Sequence, residues 1–320
     1  MCYSAMIEAD YRKYVRLFGA TIDLREFVNL FWHRRHVDAS LHIPKAMEAA
    51  FADPQTAGES EIKLLIDGWH EQQALHLQQL LFEQKTRLVE AERKLAVRPT
   101  QTWAEHRRIA TKKIAWAHDK MASLRRPTLV AEDSRIYPAS YAPVLVMENG
   151  RRVIKPMRYQ CRPAGKPASH DRQFPGTYNA RRDSLPSYWR GLFGVSHGIV
   201  VMGAFYEHVN RHRSEGRELA AGETAQGVVL EFRPQPAQDM LVACLWSHWQ
   251  QPGQPALLSF AAITDEPPPE VAAAGHDRCI IPIKPEHIDA WLSPDTADLA
   301  AQYRILDDRR KPLYEHRLAA

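Results

Sequence analysis

IYPASYAPVLVMENGRRVIKPM, residues 136–157, decides how the second half of this 320-residue chain reads. Two short apolar runs flank Asn149 and Gly150. An Asn-Gly pair accepts the positive φ of a tight turn, so the stretch predicts two strands joined as a hairpin. Further apolar runs broken by Pro or Gly follow: GIVVMGAFYEHV (198–209), GVVLEF (227–232), DMLVACLW (239–246), ALLSFAAIT (256–264) and CIIPI (279–283). From Pro127 onward these runs predict a β-rich body. KPEHIDAWLSPDTADLAAQYRIL (284–306) opens with a proline-led helix that caps it.

Upstream of Pro127 the period changes. Between Glu59 and Arg98, Ile62, Leu65, Ile66, Trp69, Leu77, Leu80, Leu81, Leu88 and Leu95 recur at three- and four-residue steps. That spacing makes a long amphipathic helix, opened by Glu59 and Ser60 and ended by Pro99. A second helix over 102–126 carries Arg107, Arg108, Lys112, Lys113, Lys120, Arg125 and Arg126 against only Glu105 and Asp119. The pair predicts a helical hairpin with one basic arm. Its charge reads either as an ordinary solvated face or as phosphate contact with nucleic acid. The expected organisation is an α+β fold: a core from 1–21 and 127–300, a helical insertion over 22–126 and a C-terminal tail over 301–320.

Lys plus Arg of 42 against Asp plus Glu of 38 leaves a net charge of +4, which permits a polyanionic partner without demanding one. Cys2, Cys161, Cys244 and Cys279 form no CxxC pair, which argues against a zinc knuckle or a disulfide framework and for a reducing compartment. No run of 18 apolar residues is present, and the first twenty residues mix acids and bases among the apolar positions. A cytoplasmic protein with no membrane partner, no metal and no cofactor is expected. Walker, GxSxG, HExxH and Rossmann glycine signatures are all missing from the sequence.

Four places hold polar residues that packing does not readily explain. Cys2 follows the initiator Met1, and removal of Met1 would leave a 1,2-aminothiol, its amine near pKa 7.7–8.0 and its thiol near 8.5. Such a pair condenses with an aldehyde to a five-membered thiazolidine; the bland alternative is a small residue beside a start codon. YNARRDS offers Asn179, which donates and accepts in one plane, and Arg181, whose fork suits phosphate oxygens, unless it is only a surface turn. GAFYEHV ends a buried run in Glu207, a position where burial raises a carboxyl pKa toward the proton-transfer range, unless the side chain points to water. GHDRC brings His276 next to Asp277 and Arg278, with His276 able to serve as acid, base or donor, or simply as a structural histidine.

Taken in order, the initial MC, IYPASYAP, VIKPMRYQCRP, YNARRDS, GAFYEH, SFAAITDEP and GHDRCIIPIKPEHIDAWL resemble the SOS response-associated peptidase (SRAP) family over residues 1 to about 15 and about 135 to 295. The resemblance implies a β-rich, barrel-like core of twisted antiparallel sheets with peripheral helices, into which 22–126 is inserted. It implies a DNA repair protein that senses abasic sites in single-stranded DNA and forms a thiazolidine DNA–protein crosslink through Cys2, with self-processing of the N-terminus. Asn179, Glu207 and His276 take the family's other catalytic positions, and Arg181 its phosphate-binding one.

Departures from the pattern fall on the DNA face. Tyr3 and Ser4 follow Cys2 where the family shows Gly and Arg, His208 replaces a tryptophan, and Tyr159-Gln160 replace a Trp-Gly pair. Tyr3, Tyr159 and His208 are therefore expected to stack on bases, with Arg278 beside them on the DNA face. The protein is then cytoplasmic and nucleoid-associated when bound to DNA. Two other readings compete: a non-catalytic SRAP-like scaffold that binds a protein partner through residues 24–126, and an N-terminal-nucleophile cysteine hydrolase.

Overall fold

The computed structural model describes residues 3–319. The strands are β1 (Ser4–Ile7), β2 (Thr21–Ile22), β3 (Arg135–Ile136), β4 (Tyr141–Glu148), β5 (Arg151–Tyr159), β6 (Asn179–Arg181) and β7 (His197–Asn210). They continue with β8 (Gly227–Gln235), β9 (Met240–Trp249), β10 (Leu257–Asp265), β11 (Cys279–Ile280), β12 (Pro282–Ile283) and β13 (Leu313–Leu318). The first five helices are α1 (Tyr11–Phe18), α2 (Leu24–His36), α3 (Lys45–Ala49), α4 (Ala57–Val97) and α5 (Gln101–Arg125). Five short ones follow: α6 (His170–Gln173), α7 (Arg211–Ser214), α8 (Pro269–Ala273), α9 (Ile288–Leu292) and α10 (Leu299–Asp307).

Asn149 and Gly150 take φ of 50° and 73°, so β4 and β5 form the expected hairpin, in register from Glu148 opposite Arg151 to Tyr141 opposite Arg158. All 13 strands belong to one sheet. Within it β4, β5, β10, β9 and β7 pair in succession, and β7 pairs back to β4, so five strands close a ring. Closure removes the exposed edges that a sheet of this size would otherwise present. Val144, Leu145, Ile154, Val200, Val242, Phe260 and Ile263, drawn from both faces of the ring's wall, have no solvent exposure. Gly198 marks a close passage between strands: a Cβ there would come within 2.9 Å of Val144 Cγ1 and 3.3 Å of the Leu145 carbonyl oxygen.

The architecture is the expected α+β one, with two differences. The sheet is not wholly antiparallel, because β5 and β6 pair parallel to β10 and β2 pairs parallel to β5. The last twenty residues are not a tail: β13 adds to β8 from Leu313 opposite Gln235 to Leu318 opposite Leu230. Tyr314 is its anchor, buried edge-on against Phe205 with ring centroids 5.2 Å apart.

The chain divides into two compact units, the first comprising residues 1–30, 40–53 and 130–320 and the second residues 31–39 and 54–129. The boundaries differ from the expected 22–126 because Tyr11, Phe27 and Phe51 pack as one aromatic cluster in the first unit, Tyr11 and Phe51 stacked at 4.9 Å.

In the second unit α4 starts two residues earlier than Glu59. Thr56 Oγ1 accepts the Glu59 N–H at 3.2 Å, and Glu59 Oε2 accepts the Gln55 N–H at 2.5 Å. At 41 residues α4 runs about 60 Å. A short turn containing Pro99 reverses the chain, and Thr100 caps α5 by accepting the Trp103 N–H. Ala91, Ala110 and Ala117 are fully buried between the two helices, small enough to allow a close approach, with Leu77 and Leu81 packed alongside. Near the start of α4, Gly68 gives the room in which the Arg35 guanidinium lies across the helix and donates to the Leu64 carbonyl. Among the described residues no helix is long and apolar enough to cross a membrane.

Candidate active site

β1 aligns antiparallel with β7, Ser4 opposite Tyr206 and Ala5 opposite Phe205, so the chain that enters β1 arrives beside Glu207. β10 carries β6 along its Ala262–Thr264 segment and β11 at Thr264–Asp265, which brings Asn179 and the His276–Arg278 turn to the same end of the barrel. Gly275, at φ 91°, ends the turn after α8 and directs His276 inward; a side chain there would be strained and would meet Arg213 Cβ at 2.8 Å.

The centre is a contact between Glu207 and His276. Glu207 has no solvent exposure, and its Oε2 lies 3.2 Å from His276 Nε2. Burial pushes the Glu207 carboxyl up to about 8, with the Asp277 charge adding to the rise and the Tyr3 backbone N–H opposing it. Burial likewise pushes the His276 imidazole down, against the pull of the Arg278 carbonyl and Asp277. The spacing would suit a salt bridge, but both shifts favour the neutral forms. The contact therefore sets a neutral carboxylic acid beside a neutral imidazole. His276 Nδ1, 2.9 Å from the Arg278 carbonyl oxygen, then carries the ring proton, and this tautomer is assigned from the network.

Asn179 is buried, and its Oδ1 accepts from the Tyr159 hydroxyl at 3.4 Å. Tyr159 itself has no exposure and stacks on Phe260 at 5.2 Å. It is therefore not a base-stacking surface: the alternation of β5 turns it into the barrel, where it positions Asn179. Tyr3 and His208 do reach solvent, their rings meeting edge-on at 5.1 Å, and Tyr137 and Tyr178 complete an aromatic group around Tyr3 at 6.0 and 6.4 Å.

Arg181 is exposed and forms a bidentate pair with Asp183 at 3.2 and 2.5 Å. Arg278 lies 3.8 Å from the same Asp183, and its buried Nε has no hydrogen-bond acceptor among the described residues. A cleft of about 460 Å³ opens beside His276, bordered by Arg213, Arg217 and Asp277.

Sequence reasoning missed Tyr137, Tyr178 and Arg135. Arg135 donates to Ser4 Oγ at 3.1 and 3.2 Å while its guanidinium covers the Tyr206 ring at 3.7 Å, so a cation stands over the first strand although Ser4 is neutral. The signal was present in the run that starts at Ile136, one residue after Arg135.

Cys2 lies outside the described residues. The other three cysteines are buried free thiols: burial pushes Cys161 up to about 12 and raises Cys244 and Cys279 as well, which leaves them poor nucleophiles. Among the described residues no group of three or more His, Cys, Asp and Glu is placed to hold a metal.

A closed barrel thus holds a buried acid–imidazole contact beside the register position of Tyr3, with arginines at the rim. The chain belongs to the SOS response associated peptidase (SRAP) family, whose model matches residues 98–317, more than half of its length. That membership associates it with the response to DNA damage. Similar solved structures are a protein of Bordetella bronchiseptica (15% identity, 58% of this chain and 87% of that one, TM-score 0.45) and a protein of Bacteroides thetaiotaomicron (13%, 58% and 78%, TM-score 0.45). A third is a phage-related protein of Bordetella bronchiseptica (15%, 63% and 88%, TM-score 0.43). No curated protein matches the sequence.

Proposed function

We propose that this protein captures abasic sites in single-stranded DNA by a covalent thiazolidine link to Cys2 once Met1 has been removed. The observation that supports the reading most strongly is the buried Glu207–His276 pair at the point where the N-terminal strand begins.

An abasic sugar rests mainly as a closed hemiacetal, so a proton must leave its C1′ hydroxyl and another must reach the ring oxygen before an aldehyde exists. Glu207, still protonated near neutral pH, serves as the acid, and His276, neutral with Nε2 facing it, serves as the base. The Cys2 amine then adds to C1′, the carbinolamine loses water to give an iminium, and the thiolate closes the ring. The net change is aldehyde plus aminothiol to thiazolidine plus water. Glu207 can return a proton to the ring nitrogen, which provides a route for reversal.

Asn179, fixed by Tyr159, holds the opened sugar or the amine by hydrogen bonds. Arg181, Arg278 and Arg213 face the backbone phosphates. Tyr3 and His208, backed by Tyr137 and Tyr178, offer the stacking surface that flanking bases need, worth about 1 to 3 kcal/mol per base.

Incubation with a single-stranded oligonucleotide bearing one abasic site is expected to give a band that survives a denaturing gel. A tetrahydrofuran analogue, which cannot open to an aldehyde, is expected to give none, and neither is Cys2→Ala. A Cys2→Ala protein that crosslinks as well as the parent would sink the proposal.

A further inference from the structure

The helical hairpin carries a feature that neither its own packing nor the proposed chemistry uses. On α4 the residues turned toward α5 are buried, yet Leu64, Leu75, Phe82 and Val89 are 68%, 66%, 74% and 66% exposed. Their spacings of eleven, seven and seven residues put all four on one line along the helix, within about 40° of one another at 100° per residue. A single exposed apolar residue needs no explanation, but four on one line of a 41-residue helix, the last three at heptad spacing, form a stripe that a second helix can cover. α4 precedes residues 98–317, so this row lies outside the part of the chain that the family model matches.

We propose that two copies of this chain pair antiparallel through the outer face of α4, with the two-fold axis at Phe82. The charges on the same line choose the partner and the direction. Glu71 and Arg93 stand eleven residues before and after Phe82, each close in angle to the apolar row. An antiparallel pair centred on Phe82 therefore sets Glu71 of each copy opposite Arg93 of the other, and Leu75 opposite Val89. Gln78 then faces Thr86, and Gln79 faces Lys85, so no like charges oppose each other in these layers. A parallel pair would instead set Glu71 against Glu71 and Arg93 against Arg93. The face is self-complementary in one orientation only, which is what a two-fold contact requires.

The test uses the full chain. Sedimentation is expected to show a concentration-dependent dimer that Phe82→Glu converts to monomer, with helical content and crosslinking to abasic DNA unchanged. Glu71→Arg and Arg93→Glu should each weaken the dimer at least fivefold, and the double reversal should restore it.

Orientation is read by oxidation. Phe82→Cys should give a disulfide-linked dimer above the parent's background, whereas Leu75→Cys should not, because two copies of residue 75 lie about 21 Å apart in the antiparallel pair. A mixture of Leu75→Cys and Val89→Cys chains should link. A parent that stays monomeric at 100 μM, a dimer indifferent to Phe82→Glu, or Leu75→Cys linking as readily as Phe82→Cys overturns the proposal.

Discussion

Glu207→Gln is expected to slow crosslinking by about 10²- to 10⁴-fold, the usual worth of a positioned acid, while making the protein more stable. The carboxyl keeps its proton in the fold up to about pH 8 because burial leaves the anion without water. An unfolded chain gives the same proton up near pH 4.5. Between those pH values the folded state binds more protons than the unfolded state, so stability falls as pH rises across the window. At pH 7 the deficit is on the order of 3 kcal/mol, and a neutral glutamine of nearly the same shape removes it.

Urea unfolding should accordingly show the variant more stable than the parent at pH 7 and nearly equal to it at pH 4.5. The parent's crosslinking rate should decline above about pH 8 as the acid ionises, a limb the variant lacks. A merely structural glutamate would give the opposite sign: loss of stability on substitution, with no change in the alkaline limb.

The second large effect is acid instability centred on His197, at the other end of β7 from Glu207. Its ring stacks on Trp291 at 4.0 Å, Nδ1 donates to the Trp291 carbonyl at 3.0 Å, and Nε2 accepts the Gly194 N–H at 2.8 Å. Phe193 closes another side, and Gln302 is a further polar neighbour. Burial pushes the imidazole down to about 3, and protonation of Nε2 would also break the bond from Gly194.

The unfolded histidine takes its proton near 6.5, so the unfolded state binds more protons between pH 6.5 and about 3. Stability is therefore complete above pH 6.5 and is lost as pH falls, by about 2 kcal/mol at pH 5. Unfolding free energies at pH 7 and pH 5 should show this drop in the parent. His197→Gln, which keeps an acceptor for Gly194, should flatten it; an equal slope in both proteins would place the acid sensitivity elsewhere.

Local chemistry made parts of the fold legible. Asn149-Gly150 specifies its hairpin from two residues, and the leucine period of α4 needs no tertiary context. β13 escaped because LYEHRL has one buried anchor, Tyr314, among polar residues, a pattern that looks like a solvated tail until Phe205 is placed beside it. The inward turn of Tyr159 escaped because VIKPMRY gives no clean alternation, and only the closure of the ring decides which phase faces in.

In the site, Glu207 and His276 were nameable from the order of short motifs. Their 3.2 Å contact was not, because it depends on β7 and the turn before β11 meeting at one end of the barrel. Tyr137, Tyr178 and Arg135 acquire their places around Tyr3 and Ser4 in the same way, through pairings between distant strands.

The central claim is that the N-terminal aminothiol is the reacting group. The most direct test is the mass of the N-terminal peptide, taken before and after reaction with abasic single-stranded DNA and nuclease digestion. The expected peptide begins at Cys2 and, after reaction, carries the residual sugar as a condensation adduct formed with loss of one water. A peptide that still begins at Met1, or an adduct found on a lysine instead, would contradict the account.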